Sequence, residues 1–147
     1  MDAAEIGVLR VDAARPATSP DRQWSGYSTT LTPDELLSGL RGWWRCDPAT
    51  ISASGVLPVT LAGYVVAVLT GVHTWEKDPR GRYTFPHARL AGYITDLATP
   101  TTVVTSTTRP DRELAGILLG SRLPTYSGGA IAYAPTNALK SSAAKEA

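Results

Sequence analysis

The stretch Val59–Val72, VTLAGYVVAVLTGV, decides the fold of this chain. It is rich in β-branched and aromatic residues, which favour strands over helices. It also contains Gly63 and Gly71, and a glycine inside a strand pattern marks a bend or a bulge. The sequence therefore predicts one or two consecutive strands here, with the bend at Gly63. The apolar run is far shorter than the roughly 20 residues that span a bilayer, so no membrane partner is expected.

Strand-favouring segments flank this stretch on both sides. Residues 1–11 are predicted to contribute a short strand on the N-terminal side, because Ile6, Val8 and Val11 are apolar, with Arg10 interrupting them. On the C-terminal side, Pro79-Arg80-Gly81 predicts a hairpin turn. The further predicted strands are Arg82–Phe85, Leu90–Leu97, Thr99–Thr108 and Gly128–Tyr133.

Two helices have recognisable first turns. Thr32-Pro33-Asp34-Glu35 has the spacing of a capping box with proline at the first helical position, and it predicts a helix from Pro33 to Leu40 that ends at Gly42. Pro110 opens the second helix, which Gly120 ends. Asp47-Pro48 predicts one more short helical turn. The apolar face of the second helix is predicted to hold Leu114, Ile117 and Leu118.

These elements predict an α+β domain with a small curved, mostly antiparallel sheet or pseudo-barrel and two or three short helices. A chain of 147 residues fits one domain of ordinary size. We expect residues 1–134 to form it, with residues 1–30 as an N-terminal arm packed on the rest. Residues 135–147 are small, polar and rich in alanine and lysine, and they predict a flexible tail.

Composition excludes several classes of protein. The net charge is only +1, so a nucleic-acid contact requires a local basic patch and cannot come from a basic coat. The single cysteine, Cys46, excludes an internal disulfide and a cysteine-cluster zinc site, which suits a reducing compartment. The first 20 residues lack the apolar core of a signal peptide. A cytoplasmic location is the expectation that follows.

Three of the four tryptophans lie in two arginine-rich segments, Arg41–Arg45 (RGWWR) and Trp75–Phe85. Indole and guanidinium groups together suit planar, electron-rich or anionic ligands, because rings stack on bases and planar cations bind phosphates. Trp43 and Trp44 are consecutive, so we expect one to pack inside and the other to line a pocket. The candidate ligand-binding residues are Arg41, Trp43, Trp44, Arg45, Trp75, Arg82, Tyr83 and Phe85.

The same residues also have purely structural interpretations. Both indoles of the Trp43-Trp44 pair could pack the helix end onto the sheet. Trp75 could pair across a hairpin with Tyr83 or Phe85. An arginine beside a helix C-terminus is favoured there without any ligand.

Catalytic motifs are missing from the sequence. His73 and His87, the two histidines, do not have metal-ligand spacing, and Ser127, which precedes Gly128-Gly129, lacks the full Gly-x-Ser-x-Gly pattern of a nucleophile elbow. Phosphate-binding glycine loops are also absent. We therefore expect a protein that is not an enzyme, with no catalytic residues, no metal and no cofactor.

The order of the motifs resembles a bacterial domain family. RGWWR, the strand Tyr64–Val72, Trp75 and Gly81–Phe85 (GRYTF) follow one another as in members of the PUA-like superfold, which includes the EVE, YTH, ASCH and SRA domains. The resemblance covers roughly the middle third of the chain. It implies a partly open β-barrel with an aromatic pocket. It also implies a role as reader of modified, methylated bases that are turned out of the helix.

The function expected from these observations is a module that binds nucleic acid or a nucleotide and, by the resemblance, reads a modified base through an aromatic pocket. The alternative is a protein-interaction or oligomerisation module, such as a homodimer. Tryptophan, tyrosine and arginine are also enriched at the energetic centres of protein interfaces.

Overall fold

The structure is a computed structural model that describes residues 5–11, 15–16, 24–25, 32–94, 102–104, 109–123, 125 and 130–135. Within these ranges the chain forms three helices and ten strands. The helices are α1 (Pro33–Leu40), α2 (Pro48–Ser54) and α3 (Arg109–Leu118). The strands are β1 (Glu5–Val11), β2 (Arg15–Pro16), β3 (Trp24–Ser25), β4 (Val56–Leu61), β5 (Tyr64–Thr70), β6 (Glu76–Lys77), β7 (Tyr83–Thr84), β8 (Arg89–Ile94), β9 (Thr102–Val104) and β10 (Ile131–Pro135).

Six of these strands form one mixed sheet in the order β10-β1-β4-β5-β8-β9. The pair β1 and β4 is parallel, and the other neighbouring pairs are antiparallel. The register shifts between Val59 and Thr60 in β4 and between Val68 and Leu69 in β5, and such bulges bend a sheet. The predicted α+β class with a small curved sheet is therefore confirmed.

The stretch Val59–Val72 contains most of the tight hairpin that β4 and β5 form. Ala62 and Gly63 connect the strands with φ angles of 53° and 87°. Two successive residues with positive φ match the right-handed twist of the flanking strands, so the predicted bend at Gly63 is a two-residue turn. β4 begins three residues earlier than predicted, at Val56, and includes Pro58. Proline is tolerated there because the described pairing of β4 with β1 starts only at Val59.

Two apolar clusters cover the two faces of the sheet. One holds Leu36 and Leu40 of α1 and Ile51 of α2. The other, on the opposite face, holds Ala115 and Leu118 of α3. The central strands β4 and β5 are thus buried on both sides, which explains why they read as nearly continuous apolar runs.

Both ends of α1 agree with the prediction, because the helix runs from Pro33 to Leu40. The Thr32 hydroxyl accepts a hydrogen bond from the Glu35 amide at 3.2 Å, and the Glu35 carboxylate accepts one from the Thr32 amide at 3.0 Å. This is the predicted capping box. The C-cap, however, is Arg41 with φ −90°, and Gly42 does not adopt a left-handed conformation. Gly42 thus follows directly after the helix cap, as predicted, but without a left-handed conformation, and it makes room for the Trp44 indole.

In α3, the predicted apolar face was wrong at one position. Ala115 and Leu118 are buried and Leu114 packs beside them, whereas Ile117 is 37% exposed. At 100° per residue, position 117 lies away from the centre of the stripe that 114, 115 and 118 define. Gly120 follows the helix with φ 84°, as a glycine that ends a helix does.

The predicted division of the chain is only partly covered by the described residues. Glu5–Val11 lies between β10 and β4, so this part of the N-terminal segment is an integral strand of the sheet. The short strand β3 approaches α1. The rest of residues 1–30 and the tail from residue 136 lie outside the described residues.

Candidate functional site

The two arginine-rich segments meet through their backbones. Trp44 and Tyr83 form an antiparallel bridge and exchange two hydrogen bonds, each with an N···O distance of 2.7 Å. Residues separated by nearly forty positions in the sequence are thus held side by side. We call the surface built from Arg41–Arg45 and Trp75–Phe85 the bridge patch.

The second half of the bridge patch is the predicted hairpin. β6 and β7 pair Glu76 with Thr84 and Lys77 with Tyr83. Asp78 organises the turn, because its carboxylate accepts hydrogen bonds from the Arg80 amide at 3.0 Å and the Arg82 amide at 2.8 Å. An aspartate that binds amides further along the chain in this way is a common turn-forming device.

Arg82 and Asp78 also form an ion pair, with Nε 2.8 Å from a carboxylate oxygen. Burial raises the pKa of the Asp78 carboxyl, but the hydrogen bonds from the Arg82 backbone and side chain and the Arg82 charge outweigh it, so the pKa lies below its ordinary value. The guanidinium group of Arg82 is therefore already engaged in holding the turn. It is less available to a phosphate than the sequence analysis expected.

Trp44 packs toward the interior and Gly42 makes room for it. A Cβ atom at Gly42 would lie 2.7 Å from the Trp44 indole, a distance that would force the ring to move. The indole contacts the apolar cluster beneath α1 and α2. Its neighbour Trp43 is half-buried. Trp44 is half-buried as well, and it both packs against the cluster and lines the cleft beside it.

Beneath Trp44 lies a small cleft. Leu57, Leu69 and Val72 of the core line it, together with Phe85, which is only 4% exposed. Arg41 stands at its rim and donates a hydrogen bond to the Pro86 carbonyl at 3.2 Å. The cleft has room for about one water molecule. A site that encloses a planar ligand is much larger, roughly 300–1,000 Å³.

The outer face of the bridge patch is more accessible. Trp75 is 42% exposed. The Lys77 ammonium group stands 6.0 Å from the centre of the Tyr83 ring, within the range of a cation–π contact. Arg45 is exposed beside Trp44. The bridge patch thus contains an accessible indole and exposed cationic groups.

The structure brings most of the candidate residues together but gives them different environments. Trp44 and Tyr83 are bridged, and Phe85 forms the floor of the cleft. Trp75 directly precedes β6 at the surface. Lys77 was not among the candidates, although its position four residues before the Gly81 turn residue could have suggested that it faces Tyr83. The core residues that line the cleft carry no sequence signal for that role, because they come from segments that are separate in the chain.

The Cys46 thiol is poorly suited to nucleophilic catalysis. Burial, with a smaller contribution from Asp47, raises the pKa of the half-buried Cys46 thiol to about 11, so it stays protonated at neutral pH and is a weak nucleophile. Among the described residues, no group of histidine, cysteine and carboxylate side chains could hold a metal ion. No helix in that part of the chain has the length and apolar character to cross a membrane.

No family model, curated protein or solved structure matches the chain. The resemblance to the PUA-like superfold therefore stays a prediction. The bridge patch is therefore the basis for a proposed function.

Proposed function

We propose that the protein is a binding module for nucleic acid or nucleotides and that the bridge patch is its binding surface. Trp75 would stack on a base, and Arg41, Arg45 and Lys77 would contact phosphates. The observation that carries the proposal is the Trp44–Tyr83 bridge, which unites the aromatic and the cationic residues of two distant segments.

The charges near the bridge patch support this assignment. Its cationic side chains outnumber its carboxylates, Glu76 and Asp78, and Asp78 is already paired with Arg82. Arg45 and Lys77 are exposed, and Arg41 is exposed apart from its hydrogen bond to a backbone carbonyl. A protein with a net charge of +1 can attract a polyanion only through such a local excess.

The first test measures binding of fluorescently labelled oligonucleotides by anisotropy at low and moderate salt. Three phosphate contacts on a single strand predict a slope of about −2 in log affinity against log salt. The affinity should therefore fall about 20-fold between about 50 mM and 200 mM salt. Binding that is independent of salt would contradict the phosphate contacts.

The second test removes the exposed indole. Trp75→Ala should weaken oligonucleotide binding about 5- to 150-fold, because base–aromatic stacking is worth about 1–3 kcal/mol. Tyr64→Ala is a matched control, since Tyr64 is 51% exposed and begins β5. It lies five residues, about 17 Å, along the strand from Leu69, which lines the cleft.

The control should bind like the unaltered protein. Equal losses in the two variants would indicate a nonspecific effect of removing surface aromatics and would contradict the assigned surface. If the protein binds no oligonucleotide and instead forms a dimer that Trp75→Ala dissociates, then the patch is a protein interface. Light scattering distinguishes that outcome.

A further inference from the structure

The cleft beneath Trp44 limits what the bridge patch can bind. We infer that the patch takes unpaired nucleotides of a single strand on its open face, and that it distinguishes neither the identity of the base nor its methylation. The inference rests on the proposed function. It differs from the enclosed base that the sequence resemblance implies.

The cleft is rigid, because its walls are part of the buried core. Its walls include Leu57 and Leu69, each 1% exposed, and Val72, which is 0% exposed. These side chains belong to the apolar cluster between the sheet, α1 and α2. Enlarging the cleft from the room for one water to that for a base would require them to separate, and close-packed interiors resist such a change.

The aromatic rings that line the cleft are also held in place by packing. The Trp44 indole is held against Gly42, and Phe85 is buried in the same cluster. Neither ring can slide between a base and the protein without leaving this packing. The indole of Trp75, in contrast, is 42% exposed and can be reached by a ligand without rearrangement.

The surface around Trp75 suits a strand that lies across it. Trp75 and Lys77 are two residues apart, so continuing the alternation of β6 places both on the same face, about 7 Å apart along the strand. The register of β6 and β7 puts Tyr83 opposite Lys77. A base stacked on Trp75 would then have a cation beside it for its phosphate.

This arrangement selects unpaired bases for a physical reason. In a duplex, neighbouring base pairs cover both faces of a base, and extruding one costs a few kcal/mol that only a closed pocket offsets. Stacking on an open indole tolerates any base, because every base has a π face. A methyl group on the base edge would remain in solvent and add little.

The experiment compares four oligonucleotide probes that share one sequence and are measured at the same salt concentration. Two are single strands, one plain and one methylated, and two are duplexes, one plain and one methylated. The single strands should bind at least about tenfold more tightly than the duplexes, since the duplex must first give up pairing energy. Methylation should change the affinity for single strands and for duplexes by less than about twofold, as expected for a base that stacks on Trp75 with its edge in solvent.

Equal or tighter duplex binding, or a methylated probe that binds more than about fivefold more tightly, would overturn the inference while leaving the proposed function intact. If none of the probes binds, the proposed function fails and the inference fails with it. The two failures are therefore distinguishable.

A pair of variants gives a second readout. Trp75→Phe keeps a ring and should retain most of the preference for single strands, whereas Trp75→Ala should abolish it. Val72→Ala enlarges the cleft and should leave single-strand affinity unchanged in protein that circular dichroism shows to be folded. A gain in affinity for the methylated probe in Val72→Ala would place the base in the cleft and contradict the inference.

Discussion

The β4–β5 hairpin and the β6–β7 hairpin of this chain are stabilised by different interactions. In the first, strand residues are buried on both faces of the sheet and a two-residue turn closes the pair. The second has only two paired positions, and a carboxylate and a backbone bridge to Trp44 hold its shape. Apolar burial determines one hairpin and specific polar contacts determine the other.

This difference indicates that the first hairpin contributes mainly to stability and that the exposed residues of the second contribute to binding. Substitutions in the first region should change the free energy of unfolding, and substitutions at exposed positions of the second should change binding. Gly42 and Trp44 connect the two regions, because the indole belongs to the bridge patch and packs on the core. Four substitutions test this division between the two regions.

The largest expected effect is in the sheet. Leu9→Ala removes a side chain that is 0% exposed on β1, between β10 and β4. It should lower the free energy of unfolding by about 2–5 kcal/mol, measured by urea denaturation. Oligonucleotide binding by the folded fraction should not change. If Trp75→Ala destabilises the protein as much as Leu9→Ala does, the division between the two regions is wrong.

Gly42→Ala tests the connection between the regions. The new Cβ atom would lie 2.7 Å from the Trp44 indole, so the ring must shift. The expected cost is about 1–3 kcal/mol, as for other insertions into a packed core. Tryptophan emission should also change. An unaltered emission spectrum together with unaltered stability would show that Trp44 does not pack as described.

Gly116→Ala is the matched control and a prediction of its own. Gly116 is exposed within α3, and a Cβ atom there would have nothing within 4 Å. Alanine loses less backbone entropy than glycine in a helix, so the protein should gain roughly 0.5–1 kcal/mol in unfolding free energy. Thermal unfolding measures the gain. A loss of stability would mean that α3 does not extend through this position.

The smallest effect is expected from acid. The pKa of Asp78 in the folded protein lies below its ordinary value, so the stability that its ionised form contributes is fully present above that value. It is lost as the pH falls below about 4 and through the native pKa. Tryptophan emission should report the loosening of the hairpin. The Asp78→Asn variant should lack this transition, and the same acid transition in both proteins would assign it to another group.

Local sequence rules predicted much of the fold. The capping box at Thr32 and Glu35, the turn at Gly63, the end of α3 at Gly120 and the hairpin around Gly81 all depend on residues close together in the chain. Their physics is contained in short windows of sequence. The exposure of Ile117 was predicted wrongly, because which residues of a helix are buried depends on packing partners that are distant in the chain.

The strand-rich α+β class, the helix starts and the grouping of tryptophan and arginine in two segments can be read from the amino-acid order. The contact of Trp44 with Tyr83, the ion pair of Arg82 with Asp78 and the small volume of the cleft follow only from the folded chain. The reason is that propensities and caps act over a few residues. Pairing across the fold and the volume left in a core depend on how all the elements pack together.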